Sequence, residues 1–271
     1  YDLVGLVYYL SLNSNTENLS KFFKRRNSFK GNIGIFVMKN NKINGIELKN
    51  NKIIDCDTII FNGDPKALFD GLLGDEIQNA VSNNNINKRS LSAYVWSFAA
   101  KTQGLDLLHH NVLFNKNYRT EFDDIKRGEI PKDPTLYICA QGSINNPRPK
   151  EKSLGRFEII INGSPTYNHK KYNKQKEYTK CKEITFSILD SMGLKIDLKP
   201  TEEMLTTPKE FEQLFPGSQG SLYGRTPHGI SSTFMRPRNK SKIKGLLLAG
   251  GGTHPGAGIP MACLSGKHAA E

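Results

Sequence analysis

The chain is 271 residues long with a formal net charge of +12, which leaves room for one large domain or two modest ones around a substantial core. No apolar run reaches the roughly 18 residues of a membrane-spanning helix, and the lysines are scattered through Asn- and Ile-rich stretches, so the charge reads as a basic solvated surface and not as a nucleic-acid platform. Cys56, Cys139, Cys181 and Cys263 lie far apart without a C-x-x-C pair, which excludes a metal motif readable from cysteine spacing and fits a reduced, intracellular protein.

The opening YDLVGLVYYLSL, from Tyr1, has neither the charged start nor the cleavage site of a signal peptide, and reads as part of a longer polypeptide. From Asn32 to Asn62, the apolar runs IGIFVM, INGIEL and IIDCDTIIFN alternate with KNNK turns. That pattern predicts a β-meander with tight hairpins. Asp64-Pro65 starts a helix expected to reach Leu73, because the carboxylate can accept an orphan amide and Pro has no amide to satisfy in the first turn. After the polar spacer SNNNINKRS come SLSAYVWSF (90–98), LLHHNVLF (107–114), TLYICAQ (135–141) and RFEIIIN (156–162). These aromatic and β-branched runs predict a mixed sheet with one face free to line a cavity.

Between Lys174 and Met192, the residues Tyr178, Cys181, Ile184, Ile188 and Leu189 form an apolar stripe against lysines and glutamates, and Gly193 stands where a helix would end. The basic stretch YNHKKYNKQKEYTK reads as a solvated loop and helix face rather than an RNA-stacking surface. Thr207-Pro208-Lys209-Glu210 is a capping box whose short helix Pro216-Gly217 stops.

The last segment, LLLAGGGTHPGAGIPMACLSGKHAAE, begins with a buried strand at 246–249. Gly250, Gly251 and Gly252 then let the backbone turn and approach a ligand without a Cβ in the way. A helix starting between Gly258 and Met261 would aim free amides and its positive dipole end at that turn, an arrangement that holds an anion or developing negative charge. Neither G-x-G-x-x-G nor G-x-x-x-x-G-K-[ST] occurs, so the group held need not be a phosphate.

LAGGGTHPGAGIPMACLSGKHAA resembles the C-terminal flavin-binding segment of the phytoene-desaturase-type carotenoid dehydrogenases, in the FAD-dependent amine oxidase superfamily. IIFNGDPKAL, SLSAYVWSFAAKTQGLDLLHHNVLF, FDDIKRGEIPKDPTLYICAQ, RFEIIIN, GSLYGRTPHG and RPRN are similar to family segments in family order, most like the hydroxyneurosporene or methoxyneurosporene dehydrogenases, the 1-hydroxycarotenoid 3,4-desaturases. The resemblance covers Asn32 to the end and leaves 1–30 unplaced. It implies an α/β fold: a remnant of an FAD-binding domain over 1–65, a substrate-binding domain over 66–238 and a closing FAD-binding strand-turn-helix over 239–271. It also implies that the dinucleotide-binding βαβ unit lies on polypeptide before Tyr1, so that these residues alone bind FAD poorly.

By the same resemblance, a linear, hydroxylated or methoxylated carotenoid loses two hydrogens by hydride transfer to flavin. The backbone of Gly256, Ala257, Gly258, Ile259, Pro260 and Met261 would stabilise charge at the flavin pyrimidine edge, and Gly251, Gly252, Thr253 and His254 would pass close to the ring or ribityl chain. His254, His110 and Arg225 are the candidates for acid-base or orienting work, Arg225 toward a substrate hydroxyl, with Tyr223 and His228 in the same segment. His109 and His110 on an extended strand would face opposite sides, so one at most could reach a cavity. No metal is expected. The apolar substrate implies peripheral docking on a membrane from the cytoplasm, helped by the basic surface. A carotenoid isomerase and a basic nucleic-acid-binding module are the competing readings.

Overall fold

The computed structural model describes residues 33–141, 154–168, 172–226 and 234–271. Strands β1 (Ile33–Lys39) and β2 (Lys42–Leu48) are joined through Asn40 and Asn41, both at positive φ, 52° and 56°. Those dihedrals match the twist of a two-residue hairpin. Strand β3 (Ile53–Asp55) completes the antiparallel sheet β1-β2-β3. The run expected as one last meander strand instead divides: its second half is β4 (Ile59–Phe61), which leaves the meander and pairs elsewhere. Helix α1 (Pro65–Phe69) begins as expected, with Asp64 Oδ1 accepting from Lys66 N at 2.9 Å. It stops short of Leu73 because the chain turns at Gly71, whose φ of 73° suits only a residue without Cβ.

The chain continues through β5 (Ser92–Gly104), β6 (His110–Leu113), α2 (Tyr118–Lys126), β7 (Leu136–Gln141) and β8 (Gly155–Gly163). Then come α3 (Lys174–Ser191), β9 (Leu194–Asp197), β10 (Leu205–Thr206), α4 (Pro208–Leu214), β11 (Leu246–Leu248) and α5 (Ile259–Ala270). These elements gather into two compact units. Of the described residues, one holds those up to Ser90 with Leu214–Ser218 and those within Tyr223–Glu271, and the other those within Leu91–Gln213 with Gln219–Leu222.

In the first unit β11 runs parallel to β4, pairing Leu246, Leu247 and Leu248 with Ile59, Ile60 and Phe61. The core beneath joins Phe36, Ile43, Ile46, Ile59, Phe61, Leu68, Ile77, Leu246 and Leu248. On the other face of the pair, Ile60 and Ala249, the residue just after β11, pack with Ala269 of α5, which is how the closing helix lies down on its strand.

The second unit is a six-stranded sheet of order β10-β5-β8-β7-β6, with β9 also pairing β5. Every pairing is antiparallel, which corrects the expectation of a mixed sheet. Alternation and β-branching are the same in a strand read in either direction, so only the partner decides. Helix α3 buries Cys181, Thr185 and Leu189, and Trp96 of β5 meets it edge-to-face on Phe186, centroids 5.4 Å apart. Its end is capped as the sequence predicts, with Gly193 at φ 81°. The capping box of α4 also forms: Thr207 N donates to Glu210 Oε2 at 2.8 Å and Glu210 N to Thr207 Oγ1 at 3.4 Å. Within the described residues no helix is long and apolar enough to cross a membrane.

Candidate functional site

Strand β11 runs directly into the glycine turn. Asn62 Nδ2 donates to Ala249 O at 3.1 Å, and Gly250 N donates to the buried Ser265 Oγ of α5 at 3.2 Å. Asn239 Nδ2 reaches both Leu248 O (3.0 Å) and Ser265 Oγ (2.8 Å). Strand end, turn and helix are thereby fixed to one another by directional bonds. A Cβ on Gly252 would stand 2.9 Å from Pro65 Cδ, whereas one on Gly251 would meet nothing closer than Ala257 Cα at 3.6 Å.

Beyond the turn, Gly256 and Gly258 hold φ of 143° and 99°. Helix α5 starts at Ile259 with Gly258 as N-cap, so no side chain closes its first turn. The amides of Gly256, Ala257, Gly258, Ile259 and Met261 make no hydrogen bond among the described residues. Helix starts are ordinarily capped by Ser, Thr, Asp or Asn; this one presents a row of bare donors. Gly258, Ile259, Pro260 and Met261 are all exposed. Thr253 is fully buried, and its hydroxyl has no partner among the described residues. Free amides at an exposed helix start suit a ligand edge that carries carbonyl oxygens and developing negative charge, such as the pyrimidine edge of a flavin.

Three buried arginines stand in the same unit. Arg236, 4% exposed, forks to three backbone carbonyls: Tyr223 O at 2.9 Å, Gly251 O at 2.8 Å and Arg225 O at 2.8 Å. Burial, and then the positive Arg89 and Arg225, pull its guanidinium below the usual range. Arg89 pairs with Asp64, the N-cap of α1, and donates to Ser218 O at 3.0 Å. Arg225 bonds the carbonyl of Asn84 and lies 3.5 Å from Met235 Sδ. Asp64 pairs with Arg89, and Arg236 brings a positive charge to the turn through its bond to Gly251 O.

Of the candidates read from sequence, Gly251, Gly252, Thr253, His254, Gly256, Ala257, Gly258, Ile259, Pro260 and Met261 all lie on this turn and helix start. His254 donates its backbone amide to Pro237 O at 2.8 Å and makes no side-chain hydrogen bond among the described residues. Arg225 is enclosed by loop backbone as just described. His110 belongs to the other unit, where its Nδ1 meets Tyr137 Oη at 2.7 Å. His228 falls outside the described residues. The expectation that His109 and His110 face opposite ways is corrected. Their ring centroids are 4.3 Å apart, and His109 Nε2 lies 3.8 Å from Cys139 Sγ. Strand β6 begins only at His110, so the alternation of an extended strand does not bind its neighbour.

Residues 188–271 match the family of flavin-containing amine oxidoreductases. Hydroxyneurosporene desaturase from Cereibacter sphaeroides is 48% identical over 227 residues, 84% of this chain and 45% of that protein. The hydroxyneurosporene desaturase of Rhodobacter capsulatus is 46% identical, across 87% of this chain and 46% of its own. The chain is thus similar to carotenoid desaturases over most of its length and to flavin-containing amine oxidoreductases over 188–271. A 1-hydroxycarotenoid 3,4-desaturase from a Flavobacterium is a further relative, 29% identical over 90% of this chain and 49% of that one. This desaturase relative spans about half the length of the curated proteins it matches.

Sequence reasoning passed over Arg236, Asn239 and Ser265, which hold the turn of this desaturase relative in shape. RPRN carries a family resemblance, but among 38 Lys and Arg residues nothing local marks Arg236 as buried. Ser265 sits among small helix-compatible residues, where one hydroxyl at the buried face has no distinctive spacing.

Proposed function

We propose that this chain supplies the closing strand-turn-helix of an FAD site, together with a substrate-binding sheet, in a desaturase of linear hydroxylated or methoxylated carotenoids. The observation that carries the reading is the row of unbonded amides at 256–261 beside the braced glycine turn, within the segment matched by the flavin-containing family. The dinucleotide-binding unit is assigned to polypeptide outside these 271 residues, since no G-x-G-x-x-G occurs here and the relatives are about twice as long.

When bound, the flavin supplies the hydride acceptor for dehydrogenation. The amides of Gly256, Ala257, Gly258, Ile259 and Met261 offer preorganised donors where negative charge develops, without the reorganisation that water would need. Thr253, fully buried in the turn, would hold the backbone of that turn in place beside the ring. Arg236 holds Gly251 in place through its carbonyl. His254 is the acid-base candidate standing in this turn.

Purification of the chain joined to the missing length of its relatives tests the reading. The expected results are a yellow protein with flavin absorbance and, with a 1-hydroxycarotenoid, a red-shifted product spectrum that reports added conjugation. A colourless protein that refuses added FAD defeats the cofactor assignment. Unchanged product mass with altered geometry makes the enzyme an isomerase instead. The peripheral membrane reading predicts co-sedimentation with anionic liposomes that weakens as salt rises; indifference to both lipid charge and salt removes it.

A further inference from the structure

We propose that His109, His110 and Cys139 form a zinc-class metal site at the β6 edge of the six-stranded sheet. One ring nitrogen from each histidine and the sulfur lie within 4.8 Å of one another. A tetrahedral zinc with Zn–S of about 2.3 Å and Zn–N of about 2.0 Å sets sulfur and nitrogen ~3.5 Å apart, and His109 Nε2 already stands 3.8 Å from Cys139 Sγ. The strands bring the ligands together. His110 of β6 is directly opposite Cys139 of β7, and opposite residues of an antiparallel pair share a face. His109, just ahead of the strand, turns its ring onto that of His110.

The surroundings are those of a ligand set. His110 Nδ1 is held by Tyr137 Oη at 2.7 Å, which leaves Nε2 to ligate and provides the outer hydrogen bond that a metal-bound histidine ordinarily has. His109 is under-bonded: its Nδ1 is buried without a partner among the described residues, and its Nε2 has only the long contact to sulfur. Its Nε2, on the sulfur side of the ring, is thereby open to a metal. A thiolate with two imidazoles selects a borderline-soft ion such as Zn²⁺. On binding, the Cys139 thiol releases its proton to solvent, so metal and thiolate together carry one positive charge. Glu158 of β8, directly opposite Cys139, balances it, and water takes the fourth position. The gradient from buried Cys139 through half-buried His109 to exposed His110 leaves an entry path. A bound ion would staple the short edge strand β6 to β7, a role independent of the flavin reading.

The test uses the untagged 271-residue chain, freed of metal and titrated with Co²⁺ and then Zn²⁺. One equivalent of Co²⁺ is expected to bind with a thiolate-to-cobalt charge-transfer band, to be displaced by Zn²⁺, and Zn²⁺ is expected to raise the melting temperature. Cys139→Ser should abolish the band. His110→Gln, at an exposed position that leaves the core untouched, should weaken Co²⁺ binding at least about tenfold. Binding of less than one equivalent after dialysis overturns the site. So does a band that survives in Cys139→Ser, because the sulfur would then belong to another cysteine such as the exposed Cys263, and so does unchanged affinity in His110→Gln.

Discussion

Arg236 shows how much one side chain can decide. A guanidinium buried to 4% exposure and forked to three carbonyls is a brace, since each carbonyl would otherwise be desolvated without a donor. Arg236→Ala is expected to cost about 3 kcal/mol in urea unfolding; a loss under about 1 kcal/mol would show that water replaces the brace. Two neighbouring glycines separate stability from ligand contact. Gly252→Ala drives a Cβ to 2.9 Å from Pro65 Cδ and should lower stability by about 1–3 kcal/mol. Gly251→Ala has room within the chain, so its melting temperature should match the parent while flavin retention falls in the chain joined to the remaining length of its relatives. Equal flavin retention in Gly251→Ala would take that glycine away from the cofactor. These contrasts were invisible in GGG, where the three residues read alike; their neighbours come from α1 and from the 256–258 turn.

At the scale of elements, helices were more legible than strands. The Asp64 cap, the Thr207 to Glu210 capping box and the Gly193 stop were readable because a helix end is satisfied by residues a few positions away. The division of IIDCDTIIFN was not, because the partner of its second half, β11, lies far along the chain. Helix α3 illustrates both. Its stripe was evident, but Thr185 was absent from it, and Thr185 is fully buried between Trp96 Nε1, which donates to it at 3.1 Å, and Cys181 O, to which it donates at 2.7 Å. Thr185→Val keeps the shape and strands the indole N–H, so a loss of about 1–3 kcal/mol is expected by denaturant unfolding. A neutral result would mean that the indole finds another acceptor.

For the whole molecule, burial sets the pH dependence at the alkaline side. Burial pushes the Cys181 thiol up to about 12, and burial followed by Glu177 pushes the Tyr94 phenol upward. The unfolded chain releases these protons in the usual range while the folded chain still holds them. Above about pH 9 the unfolded state therefore binds fewer protons, and stability falls as pH rises. Urea midpoints should drop between pH 8 and pH 10, with a shallower drop in Cys181→Ala; equal midpoints at both pH values would contradict the burial of these groups.

Local pattern was enough to read the α/β class, the four sheet runs, the capped helices, the closing strand-turn-helix and the likeness to carotenoid desaturases. Each of those rests on spacing, on caps or on motifs written within a few tens of residues. Strand direction, the parallel seat of β11 beside β4, the burial of Arg236 and the meeting of His109, His110 and Cys139 emerged with the folded chain. Those depend on which distant segments become neighbours, and a local pattern of apolar and polar residues records that a surface is buried without recording against what.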